Sequence, residues 1–94
     1  MDKRQLKDRA AALTGKRFFR EALHVYDLLT RDEPSDAHLQ MRRAELLVRL
    51  GEATAAAEAY VTAARVFDRQ GLRQHAAAAQ RLAGRIMGSG VAAA

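Results

Sequence analysis

Residues 18–60, FFREALHVYDLLTRDEPSDAHLQMRRAELLVRLGEATAAAEAY, decide the fold, because what stands at Ala22 and Tyr26 stands again 34 residues later at Ala56 and Tyr60. The same spacing relates Ala10 to Ala44, Leu13 to Leu47, Phe19 to Ala53 and Leu29 to Ala63. Self-similarity at a fixed period of about 20–50 residues marks a repeat architecture, in which one supersecondary unit cannot bury its apolar face alone and stacks on the next. Two copies fit the chain, about residues 3–36 and 37–70, followed by a terminal segment at about 72–87.

The apolar period within each copy is helical. Asp2 is placed to cap a first helix, with Gln5 reaching back three residues later. Leu6, Ala10 and Leu13 then form a narrow stripe that Gly15 ends by offering a left-handed turn. A second helix, about 17–32, carries two adjacent apolar rows, Phe18, Ala22, Val25 and Leu29 beside Phe19, Leu23 and Tyr26. One neighbour cannot cover so wide a face, so this helix is packed on two sides. Pro34 excludes Glu33 from helical geometry, and Ser35 and Asp36 supply caps for a third helix at about 37–50, closed by Gly51. A fourth helix spans about 52–70. A fifth, about 72–87, turns Leu72, Ala76, Ala79, Leu82, Ala83 and Ile86 inward and Arg73, Gln80, Arg81 and Arg85 outward. The connections are short, which makes successive helices antiparallel. Residues 1–87 form one domain, and residues 88–94 are expected to be a flexible tail.

The order Leu6-x2-Arg9-Ala10-x2-Leu13, Ala22-x3-Tyr26, Pro34 resembles a tetratricopeptide repeat over Lys3–Asp36. The second copy keeps Ala44, Leu47, Gly51, Ala56, Tyr60 and Ala63 but has Gln40 where a large apolar residue is usual and Asp68 in place of proline. The resemblance implies an all-α fold of antiparallel helical hairpins, a right-handed solenoid of about five helices, and an interaction module rather than an enzyme.

Composition narrows the function classes. There is no cysteine, hence no disulfide framework and no thiolate or zinc–cysteine chemistry. The charged N-terminus lacks the apolar run of a signal peptide and no transmembrane run occurs, so no membrane association is expected and the chain is assigned to the cytoplasm. The net charge of +5 is uneven. Residues 1–20 carry seven Lys or Arg against two Asp, residues 21–64 four against eight acids, and residues 65–94 five against one. Arginines scattered over several helices read as a solvated surface before they read as a nucleic-acid footprint. His24, His38 and His75 stand on different helices without metal-ligand spacing, no nucleophile–base constellation occurs, and no glycine-rich phosphate loop precedes a helix. No catalytic residue, metal or cofactor is expected. His24 and Asp27, one turn apart, read as solvated surface. The aromatic residues read as core rather than as base-stacking platforms.

What remains is a binding surface, and its location comes from the resemblance, which implies a concave groove lined by the first helix of each hairpin. The matching positions select Arg4 and Lys7 on the first helix and His38, Met41, Glu45 and Arg49 on the third, with Ala11, Thr14, Gly15 and Val48 beside them. Lys7 fits the lysine with which chaperone-binding members hold a terminal carboxylate, but Ala11 and Glu45 stand where asparagine would be. The expected partner is another protein, engaged through an acidic or amphipathic peptide segment. A self-associating structural segment is the alternative, with a weak homodimer in which the basic first helix meets the acidic middle of a second chain. A nucleic-acid-binding helical repeat ranks last.

Overall fold

A computed structural model describes residues 1–93 of the chain, with side chains as far as Gly88. Five helices follow in order, α1 (Lys3–Gly15), α2 (Phe19–Asp32), α3 (Ala37–Arg49), α4 (Ala53–Arg69) and α5 (Arg73–Ala93), and the described residues contain no strand. Each helix packs on its neighbours in sequence, α1 on α2, α2 on α3, α3 on α4 and α4 on α5. The molecule measures 41 × 32 × 18 Å. Since packed helix axes lie about 8–10 Å apart, the shortest dimension holds two helix layers and no more.

The caps at the first and third helix starts follow the sequence. The Asp2 carboxylate accepts from the Gln5 amide at 2.8 Å, while the Gln5 side chain accepts from the Asp2 amide at 2.9 Å, so two otherwise orphaned donors are satisfied reciprocally. At α3 the Asp36 carboxylate accepts from the Leu39 amide at 3.2 Å.

The repeat is legible in burial. Ala10 and Ala44 are fully buried, as are Ala22 and Ala56; Ala63 is fully buried and its counterpart Leu29 almost so. The methyl side chains of these alanines let one helix backbone lie close against the next. Tyr26 and Tyr60, Leu47, Val66 and Phe67 fill the spaces between. Gln40, in the slot where an apolar residue was expected, is buried too.

The repeat is equally legible in the turns, and here the sequence expectation is corrected. Gly15 is the last residue of α1; the left-handed residue is Arg17, with φ 65°. Its counterpart 34 residues on is Gly51, with φ 76°, and Gly71 takes φ 78° before α5. All three turns close alike. The left-handed residue donates its N–H to a carbonyl three residues back at 3.0 Å (Arg17 to Thr14, Gly51 to Val48, Gly71 to Asp68). The next residue donates to a carbonyl five back at 2.9 Å (Phe18 to Leu13, Glu52 to Leu47, Leu72 to Phe67). This is the Schellman closure. It also explains two misassigned core residues. Phe18, 51% exposed, and Leu72, 41% exposed, occupy the slot after the left-handed residue, where turn geometry rather than helical period sets the side-chain direction.

The chain end differs as well. The backbone stays helical through Gly88, Ser89 and Gly90 to Ala93, beyond the Met87 boundary that the sequence suggests, and residue 94 of the expected tail lies outside the described residues. Glycine permits a helix to stop without imposing it, at about 0.5–1 kcal/mol against alanine.

Arg17 therefore sits in a conformation that costs a residue with a Cβ about 1–2 kcal/mol. Replacing it by glycine removes that cost while adding freedom to the unfolded chain, for an expected net gain of about 0.5–1 kcal/mol. For this size that is a rise in Tm of roughly 2–8 °C. Gly51→Ala, where an added Cβ meets nothing within 4 Å and only the backbone angle is at stake, should lower stability by about 1 kcal/mol. Thermal unfolding of the two variants checks both signs.

Candidate peptide-binding trough

The exposed side of α3 is the centre of the site. Arg42 and Glu45 lie one turn apart on it, the guanidinium donating to both carboxylate oxygens at 3.3 and 3.1 Å. Two depressions flank this pair and share it. One, of about 200 Å³, lies toward the α1–α2 corner, bounded by Thr14, Arg17, Phe19, Tyr26 and Arg49. The other, of about 210 Å³, lies toward α5, bounded by His38, Met41, Phe67, His75 and Ala78. Together they make a trough with α1 at one edge, α3 along its middle and α5 at the other edge.

Each depression has an aromatic ring in its lining. In the corner, the Arg49 guanidinium sits 5.8 Å over the Phe19 ring, a cation–π contact that limits where the head group can go. On the α5 side, Phe67 is flanked by two imidazoles, His38 edge-on at 5.6 Å and His75 tilted at 5.2 Å. Met41, half-buried between them, offers an adaptable thioether surface for an apolar group.

The sequence-selected residues divide accordingly. His38, Met41, Glu45 and Arg49 are brought together along the trough. Arg4 is exposed and bounds neither depression. Lys7 bounds neither as well; it belongs to an ionic cluster at the α2–α3 turn. There Lys3 lies 3.1 Å from Asp32 and 3.0 Å from Glu33, and Lys7 lies 3.5 Å from Glu33 and 3.9 Å from Asp36. Its hydrogen bond from Lys3 holds the Glu33 carboxyl below its ordinary value, and the Lys3 ammonium is correspondingly raised. Lys3 and Lys7 of the basic first helix thus meet acids from the middle of their own chain. Asp27, read from the sequence as solvated, is half-buried and accepts from Arg43 Nε at 2.6 Å, tying α2 to α3.

Arg17, Phe19, Arg42 and His75 are trough residues that sequence reasoning missed. Arg17 was findable, since the 34-residue register sets it against Gly51 and an arginine at a glycine turn position is anomalous. The others depend on which way the turns and helices face. Among the described residues no group of three or more His, Cys, Asp or Glu could hold a metal ion, and no helix is long and apolar enough to cross a membrane. No family model matches the chain, and no curated protein matches it.

Beneath the trough the phenol of Tyr26 is raised above its ordinary value of 10.0, chiefly by burial and against the opposing effects of Arg42 and Thr14; Tyr60 is raised by burial and by Glu45. In the unfolded chain both phenols ionise near the ordinary value. Their contribution to stability is therefore complete below about pH 10 and is lost as pH rises through the higher folded values. Denaturant unfolding from neutral to about pH 11 should show wild type losing stability more steeply above about pH 10 than the Tyr26→Phe/Tyr60→Phe variant. Parallel curves would contradict the burial of the hydroxyls.

Proposed function

We propose that this chain is a non-catalytic protein-interaction module of tetratricopeptide type, a short helical solenoid that binds a peptide segment of another protein along the trough of α1, α3 and α5. The observation that carries the reading is the pair of adjoining depressions sharing Arg42 and Glu45, each offering an aromatic or thioether anchor with charged groups at its edge. Two features support the repeat itself. Small residues 34 positions apart are buried at matching places, and the turns at Arg17 and Gly51 close with the same hydrogen bonds. A peptide would be held by apolar contact at Met41, while the exposed ions at the edge set association rate and salt dependence.

One observation favours a second reading, self-association. A depression of about 310 Å³ between α4 and α5 is bounded largely by apolar or small residues, among them Ala57, Val61, Ala83, Gly84 and Met87. Val61→Glu should abolish any concentration-dependent increase in mass if a second copy docks there.

Affinity capture followed by mass spectrometry tests the first reading. Met41→Asp places a charge in the apolar part of the trough and should remove a partner that wild type retains, through faster dissociation. Arg73→Glu on the exposed side of α5 should retain it. Because Met41 also packs against the core, capture by Met41→Asp is compared with wild type at a temperature where both are folded. Capture unchanged by Met41→Asp but lost with Arg73→Glu would move the binding surface away from the trough.

A further inference from the structure

The left-handed residue at the first turn is where sequence economy and structure disagree. The other two Schellman turns use glycine for this conformation, at Gly51 and Gly71, and the first uses Arg17 at φ 65°. A strained non-glycine residue kept where the repeat elsewhere takes glycine points to work done by its side chain. That side chain borders the corner depression, which Arg42 and Arg49 also border.

The charges there do not balance internally. Glu45 is the one acid bounding the depression, and it is engaged by Arg42. Lys3, Lys7, Arg20, Arg42 and Arg43 each find a carboxylate within 4.0 Å, whereas Arg17 and Arg49, like most of the surface arginines, form no ion pair among the described residues, and these two border the same depression. Two arginines without an ion pair therefore border one depression, together with Tyr26 and Thr14. The Thr14 hydroxyl already donates to the Ala10 carbonyl at 2.8 Å. Arg49 is steadied by the Phe19 ring, which lowers the entropy lost when its planar fork engages an oxyanion. The volume of about 200 Å³ equals that of roughly six or seven waters, enough for one tetrahedral anion and the first atoms attached to it.

We infer that the α1–α2 corner is a phosphoryl-binding site, in which Arg17 and Arg49 clasp a phosphate dianion, presented as free phosphate or on a phosphorylated side chain of a peptide lying in the trough. Two forks carrying two uncompensated charges match a dianion with three terminal oxygens better than they match a carboxylate. The inference deepens the adaptor reading but is tested without any partner.

Inorganic phosphate is titrated into the chain at constant ionic strength and followed by backbone amide NMR, with acetate as the monoanion control. Saturable shifts confined to the amides of 14–19 and the neighbourhood of Arg49 are expected, with weaker binding of acetate. Because hydrogen bonds to charged groups are worth more than neutral ones, Arg17→Gly and Arg49→Gln should each weaken phosphate by about tenfold or more. Arg17→Gly should do so while its Tm rises, which an effect through unfolding could not produce, and Arg85→Gln on α5 should bind as wild type. A phosphoserine peptide binding about tenfold tighter than phosphate, with the same Arg17 dependence, identifies a phosphorylated partner as the source. Equal affinity identifies the free anion. Shifts spread evenly over Arg73, Arg81 and Arg85, or an Arg17→Gly variant that binds as wild type, would overturn the site. Its failure alongside a Met41-dependent partner would leave the adaptor reading standing, and phosphate binding without such a partner would do the reverse.

Discussion

The structure depends on helix backbones lying close together at alanine. Ala10, Ala22, Ala44, Ala56, Ala63, Ala64 and Ala79 have no measurable exposure, and they come from every helix. A methyl side chain contributes little transfer free energy by itself. Its effect is to let two backbones approach until the larger side chains on either side, Leu29, Leu47, Tyr60 and Phe67, interdigitate at the density of a packed core. Because each helix packs on its neighbours in sequence, stability is a sum of local seams, and one widened seam affects the elements on both sides of it.

The electrostatic arrangement follows from that layout. With the apolar rows turned inward, the charges are left on the rims and turns, and several acids are engaged there: Asp32, Glu33 and Asp36 by Lys3 and Lys7, Asp27 by Arg43, Glu52 by Arg20. Exposed pairs of this kind contribute little stability individually. They matter more for what they leave over. Other cations are left without an ion pair among the described residues, and two of them, Arg17 and Arg49, border the α1–α2 corner with Phe19. The positive character of that corner is thus partly a remainder of how the turns are tied down.

Much of this was legible in the chain. The 34-residue spacing located five helices and most of their buried faces, because a helix period and a small-residue offset are local signals. What escaped depends on turn geometry and on contacts between distant residues. Phe18 and Leu72 continue an apolar period on paper but fall in the slot that a Schellman closure turns outward. Gly15 looked like the stop, yet the left-handed residue lies two positions later at Arg17. Asp27 and Arg43 are 16 residues apart, and no periodicity announces their bond. The ion pairs of Lys7 were not legible either, because Glu33 and Asp36 come from the turn ahead of α3. The trough was only half visible for the same reason: α3 could be read from sequence, but the walls supplied by Phe19, Arg17 and His75 come from how neighbouring elements arrive.

The most direct test of the close helix approach is Ala44→Leu at the buried face of α3. Overpacking a filled site costs roughly 1–3 kcal/mol, against a total stability of about 5–14 kcal/mol for a domain of this length. Thermal unfolding should show a fall in Tm of roughly 4 °C or more. An unchanged or higher Tm would mean that the seam has room for three more carbon atoms, and that the alanines are not what brings the helices together.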